Sequence, residues 1–151
     1  MKPTKSLLRL GLLSALALPA AAALLLTPAT CQAEQQTKVV YHINDSRVAS
    51  LALNNIRNHL NAAPGVKITV VTHGKGIDFL LKDAVDKNGN PYEVAVQRLN
   101  DQGVDFRVCN NTLKSRNLDK SAVIEEASVV PSGVAEVSRL QAREGYVYIK
   151  P

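Results

Sequence analysis

Short β-rich runs alternate with helix-spaced segments from Lys38 to the end of this 151-residue chain, and that alternation limits the folds open to it. Lys38 to Ile43 (KVVYHI) reads as a first strand. Ser46 to Ala62 follows with Val48, Leu51, Ala52, Ile56 and Leu60 at helical spacing, closed by Pro64-Gly65. Val66 to Thr72 (VKITVVT) is nearly continuous in apolar residues, as a buried parallel strand should be. A short helix is expected over 77–81, a turn over 87–90, and a helix from Pro91 to about Gln102, opened by the proline and ended by Gly103. Val104 to Val108 is the third strand. Short helices are expected over 113–116 and 118–125, and a fourth strand over 127–130. A helix over 134–143, with Val134, Val137, Leu140 and Gln141 along one side, leads to a last strand over 145–149. Strands joined through helices make right-handed βαβ units. The expected fold is a three-layer α/β/α sandwich around a mainly parallel five-stranded sheet. Nothing in the spacing sets the strand order.

The first third of the chain has a different character. Lys2, Lys5 and Arg9 stand in an acid-free opening, Leu10 to Leu26 is almost wholly Leu, Ala and Gly, and small or polar residues run on to Ala33. A basic, then apolar, then small-residue order is that of a secretory signal peptide. Seventeen residues approach the ~20 that span a bilayer, but Pro19 and the small-residue exit point to cleavage instead. The expected organisation is a signal peptide over 1–33, a polar lead-in over 34–37 and an α/β domain over 38–151. The expected location is the periplasm, with no stable membrane insertion after cleavage. A lipoprotein cut before Cys31 would want a Leu-like residue three places earlier and a small one just before; Pro28 and Thr30 fit poorly.

Cleavage changes the charge and cysteine arguments. The whole chain is +5, but the signal holds three basic residues and no acid, so 15 basic and 13 acidic residues leave +2. Nucleic-acid binding wants a clustered basic face with aromatic stacking residues. Scattered Lys and Arg with six aromatics do not supply one, so no nucleic-acid partner is expected. Loss of Cys31 leaves Cys109 alone, which rules out an intramolecular disulfide. A lone thiol in an oxidising compartment is either buried and inert or exposed for a purpose.

Parallel sheets bind ligands at the carboxyl ends of their strands. Those ends read Asn44-Asp45-Ser46, His73-Gly74, Cys109-Asn110-Asn111 and Pro131-Ser132-Gly133. Cys109 follows a strand and precedes a helix that Asn110, Asn111 or Thr112 can cap. Free backbone N–H groups there would stabilise a thiolate, the nucleophile of sulfur chemistry. The competing reading is a buried cysteine packing as a small apolar residue; the polar run after Cys109 favours exposure. His73 can serve as base or cation beside that thiolate, or be a loop histidine bonded to backbone. His42 reads as a packing or supporting residue inside the first strand, and His59 as solvated on a helix surface. Three separated His and one Cys make a weak metal set, so no metal is expected. His73-Gly74-Lys75-Gly76 lacks the phosphate-loop pattern, and Asp45 and Asp78 form no obvious catalytic pair.

The order KVVYHIND, VVTHGKGIDFLL, FRVCNNTL and VVPSGVAEVSRLQAREGYVYIKP resembles the DsrE/DsrF-like family, and within it the small intracellular sulfur oxidation proteins. The resemblance spans about Lys38 to Pro151. It implies a compact α/β domain forming homo-oligomers, often trimers or hexamers. In the related sulfurtransferase subunits a loop cysteine accepts sulfur as a persulfide and passes it on; here that residue is Cys109. Asn44, His73 and Asn110 are expected as pocket neighbours from their strand-end positions. The implied function is an exported sulfur-relay protein, a persulfide carrier or sulfurtransferase-like protein. It would work with sulfur donor and acceptor proteins or small thiols and need no cofactor. The alternative from another class is a non-catalytic oligomeric protein binding a small ligand.

Overall fold

The structure, a computed structural model, describes residues 36–151. The expected signal peptide over 1–33 and its expected cleavage site fall outside the described residues. Five strands, β1 (Lys38–Asp45), β2 (Lys67–Lys75), β3 (Asp105–Cys109), β4 (Ala127–Val130) and β5 (Val147–Ile149), form one sheet in the order β4-β3-β2-β1-β5. Every pairing is parallel. Among the described residues four α-helices accompany them: α1 (Ala49–Ala62), α2 (Tyr92–Asn100), α3 (Asn110–Ser115) and α4 (Gly133–Glu144).

Strand order explains the layering. The chain steps from β1 through β2 and β3 to β4 in one direction, then returns past all of them to place β5 beside β1. A right-handed crossover that reverses direction must run over the opposite face of the sheet. Helix α4 makes that return and packs on β2, β1 and β3. On its face Val40, Val71, Val137, Leu140 and Tyr146 form a small apolar cluster. The other face carries the main core, where Ile43, Ile56, Ile68, Phe79, Phe106 and Leu113 are fully buried. Each buried Ile, Leu or Phe contributes roughly 1.5–3 kcal/mol through loss of apolar surface to water.

Several expected elements shift, for identifiable reasons. Ser46–Val48 forms a 3-10 turn ahead of α1, with the Asp45 carboxylate accepting from the Arg47 N–H at 3.0 Å. Residues 78–80 are also 3-10 rather than α-helical. The helix expected over 118–125 is absent apart from a 3-10 turn at Lys120–Ala122. That segment bonds to its neighbours instead: Lys82 N–H donates to the Ala122 carbonyl and Ile124 N–H to the Leu80 carbonyl. Val134, expected on the inner side of the last helix, is 63 % exposed. His59 is not simply solvated, since its Nδ1 lies 3.1 Å from the Tyr41 hydroxyl. Among the described residues no helix is long and apolar enough to cross a membrane.

Candidate functional site

Alternation along the strands decides which side chains meet under α4. Val39, Tyr41 and Ile43 point to the main core, so Val40 and His42 point to the α4 face. On β2, Val71 and then His73 share that face. On β3, Phe106 and Val108 enter the core, so Arg107 and Cys109 face α4. Thr72 pairs with Val108 across the β2–β3 ladder. One residue further on, His73 and Cys109 stand on adjacent strands and on one face.

Helix α4 closes over this pair at Gly133. A β-carbon on Gly133 would lie 3.2 Å from the Cys109 β-carbon, 3.2 Å from that of His73 and 3.0 Å from the Thr72 carbonyl oxygen. Only glycine lets the first turn of α4 come so close. Ser132 caps that turn, accepting from the Ala135 N–H at 3.4 Å, which leaves the Gly133 N–H directed at the cysteine.

Cys109 is 4 % exposed, so the exposure expected from the polar run after it is not found. The polar side chains of Asn110 and Asn111 belong to the helix that follows, while the sulfur turns inward beneath Gly133. Nor do those side chains cap α3: Cys109 is itself the residue before the helix, and Asn110 is its first member. Burial raises the thiol pKa. The Gly133 N–H, the Thr112 hydroxyl and the N–H groups of Thr112 and Asn111 lower it, and together they prevail, leaving it below the ordinary thiol value. The sulfur makes no short, linear cap bond to α3; these donors act as dipoles converging on a large, polarizable atom. Thr112 is suited to this, because its Oγ1 accepts from the Gly74 N–H at 3.0 Å and so keeps its own proton to donate.

The histidines bear on the base-or-cation question. Burial lowers the pKa of His73, and the positive charge of Lys150 lowers it further. His42 is lowered by burial, then by His73 and Lys150. Their ring centroids are 4.8 Å apart with the planes tilted by 31°. His42 Nδ1 lies 2.8 Å from the Tyr148 hydroxyl on β5. Both imidazoles are therefore neutral near pH 7, so His73 stands beside Cys109 as a neutral ring rather than as a cation.

The other expected neighbours contribute less. Asn44 lies at a register break at the end of β1, is exposed, and makes no side-chain hydrogen bond among the described residues. Asn110 is half-buried and its side chain is likewise unbonded among them. Asp45 pairs with Arg47, which holds its carboxyl at about 2, and Asp78 pairs with Arg116. Tyr148 and Lys150 were not singled out from sequence, and Thr112 entered there only as a possible helix cap. Gly133 had a signal there, in the Pro-Ser-Gly turn at the end of a strand. Among the described residues no three His, Cys, Asp or Glu converge as metal ligands. A cavity of about 620 Å³ opens on the other side, lined by Arg47, Leu51, Phe79, Val85 and Tyr92 among others; none of Cys109, His73 or His42 lines it.

The described residues thus form a parallel α/β domain with one thiol at the end of an inner strand, beneath the first turn of a helix. The chain is a member of the DsrE/DsrF-like family, whose model matches residues 35–151. Among solved structures it is similar to MTH1491, a protein of unknown function from Methanobacterium thermoautotrophicum. The identity is 34 %, the TM-score 0.69, and the match covers 77 % of this chain and all of that one. The ychN protein from E. coli shares the fold at 11 % identity and TM-score 0.59, over 76 % of this chain and 99 % of its own. No curated protein matches closely enough to count as a relative.

Proposed function

We propose that this chain is an exported sulfur carrier in which Cys109 holds sulfur as a persulfide. The observation that carries the reading is the convergence of the Gly133, Asn111 and Thr112 donors on the Cys109 sulfur, which favours its thiolate. In the forward step His73 takes the thiol proton. The Cys109 thiolate attacks the outer sulfur of a donor R–S–SH, the donor S–S bond breaks, and R–S⁻ leaves. The proton held by His73 passes to R–S⁻, giving R–SH and Cys109–S–SH. Transfer onward to an acceptor thiol is the same exchange in reverse. No electrons are gained or lost overall and no cofactor is required.

The partners are sulfur donor and acceptor proteins or small thiols. A homo-oligomer is part of the proposal, supported by the family resemblance and by Val134 and Val147, which are 63 % and 56 % exposed. Export rests on the sequence of residues 1–33. N-terminal sequencing of the secreted chain tests it, with a start at Glu34 expected and a retained Met1 opposing it.

The burial of Cys109 favours a second reading, a non-catalytic protein binding a small ligand at the strand ends. Intact mass after exposure to a persulfide donor separates the two. Gain of one sulfur atom, lost in Cys109→Ser, supports the carrier. An unchanged mass with an unreactive thiol favours the binding protein.

A further inference from the structure

Cys109, His73, His42 and Tyr148 come from β3, β2, β1 and β5, four strands that are consecutive in the sheet. Cys109 and His73 follow the last β2–β3 register pair on the face under α4. His73 stacks on His42, and His42 bonds Tyr148. The row starts at a thiol that is 4 % exposed and ends at a tyrosine that is 40 % exposed. It ends between β1 and β5, where the chain's march across the sheet reverses. Open α/β sheets place a solvent crevice at such a point.

His42 Nε2 is the informative atom. It is buried and has no hydrogen-bond partner among the described residues. Leaving a buried polar atom unpaired costs roughly 1–3 kcal/mol, so a packed imidazole held this way calls for a role. With Nδ1–H donated to Tyr148, Nε2 is the free acceptor of a ring whose centroid lies 4.8 Å from that of His73. Rotation of the His73 ring about its last, soft torsion, or one water molecule, spans the gap.

We propose that His42 and Tyr148 are positioning residues that extend His73 into a proton line, which stores the Cys109 proton and returns it to the leaving thiolate. His73 accepts the proton as the Cys109 S–H bond breaks, and His42 Nε2 takes it up in turn. The Tyr148 oxygen accepts from the His42 Nδ1–H and so holds the His42 ring in place to share that proton. The reverse sequence protonates R–S⁻ once its S–S bond has broken. Two imidazoles this close hold one proton between them and titrate as a unit. The facing charges suit that limit. Lys150 opposes a second proton on the pair, while Glu136 on α4 is occupied by Arg107 and Arg139. The inference rests on His73 acting as the base for Cys109, as proposed above.

The test uses disulfide exchange at Cys109, which needs no sulfur carriage. An aryl disulfide releases a thiolate that needs no proton, whereas a dialkyl disulfide releases one that takes a proton up. In His42→Phe and Tyr148→Phe, exchange with the dialkyl probe is expected to fall at least about tenfold, and exchange with the aryl probe to stay near wild type. Nitrogen-15 spectra of the wild-type histidines are expected to place the His42 proton on Nδ1. Equal slowing with both probes, no slowing with either, or a proton on His42 Nε2 overturns the proposal. Circular dichroism of both variants excludes misfolding as the cause. Absence of a sulfur adduct on wild-type Cys109 would defeat the carrier reading and leave this test intact.

Discussion

The Gly133 N–H faces the Cys109 sulfur across a gap that a single added carbon would close: a β-carbon there would sit 3.2 Å from that of Cys109. The first turn of α4 is therefore part of the thiol's environment and not merely its cover.

Gly133→Ala should separate the two. The methyl meets Thr72, Cys109 and His73 together, so α4 must shift outward, at a cost of about 1–3 kcal/mol. The donor that lowers the thiol pKa shifts with it. Alkylation rate against pH should show its midpoint moved up towards the free-cysteine value, and chemical denaturation should show the stability loss. A midpoint that stays in place would mean that the α4 donor has no influence on the thiol.

Thr112 supplies a hydroxyl that Gly74 orients. Thr112→Val keeps the shape and removes the donor, so the thiol pKa should rise. Thr112→Ser should restore most of the shift. If valine and serine behave alike in the alkylation profile, the hydroxyl is not acting on the sulfur.

The histidine pair makes stability depend on pH. Both imidazoles have folded pKa values lowered from about 6.5, so on acidification the unfolded chain takes up protons first. Stability should fall as pH drops below about 6.5 and go on falling to the folded pKa values. Glu136 is depressed by Arg139 and Arg107, so its contribution is lost as pH falls from the ordinary carboxylate value of 4.5 down through its folded pKa. Urea midpoints from pH 7.5 down to pH 5 thus isolate the histidines, and His42→Phe should flatten the slope. A wild-type slope of zero across that interval contradicts the assignment.

Gly76 is a check on the fold alone. An added β-carbon would lie 2.1 Å from the Ile43 carbonyl oxygen, backbone against backbone, with no side chain able to yield. Gly76→Ala should cost on the order of 4 kcal/mol, read as a large drop in melting temperature or as insoluble expression. Near-native melting would show that β1 and the turn after β2 can separate cheaply.

The strands were legible because buried parallel strands leave nearly continuous apolar runs, as Ile68 to Val71 does. The 118–125 segment was misread for a related reason. Leu118, Val123 and Ile124 supply apolar weight, but they plug the core from a loop tied to Leu80 and Lys82. Cys109 and His73 could be found because chemistry in parallel sheets gathers at strand ends. Tyr148 and Lys150 could not, since their place beside His42 depends on β5 docking next to β1, and spacing does not encode strand order. Thr112 was named as a possible helix cap, but its role at the thiol stayed hidden because it comes from a hydrogen bond to Gly74, 38 positions away.

The unequal layers of the sandwich have a consequence for how such a protein can change. Twenty buried residues on one face hold the sheet together, against five under α4. A lineage, or an engineer, can thus rewrite the residues over the thiol by altering one helix and one edge strand. Foldability rests on the far side of the sheet, so the surroundings of the thiol can be varied at small risk to the chain itself.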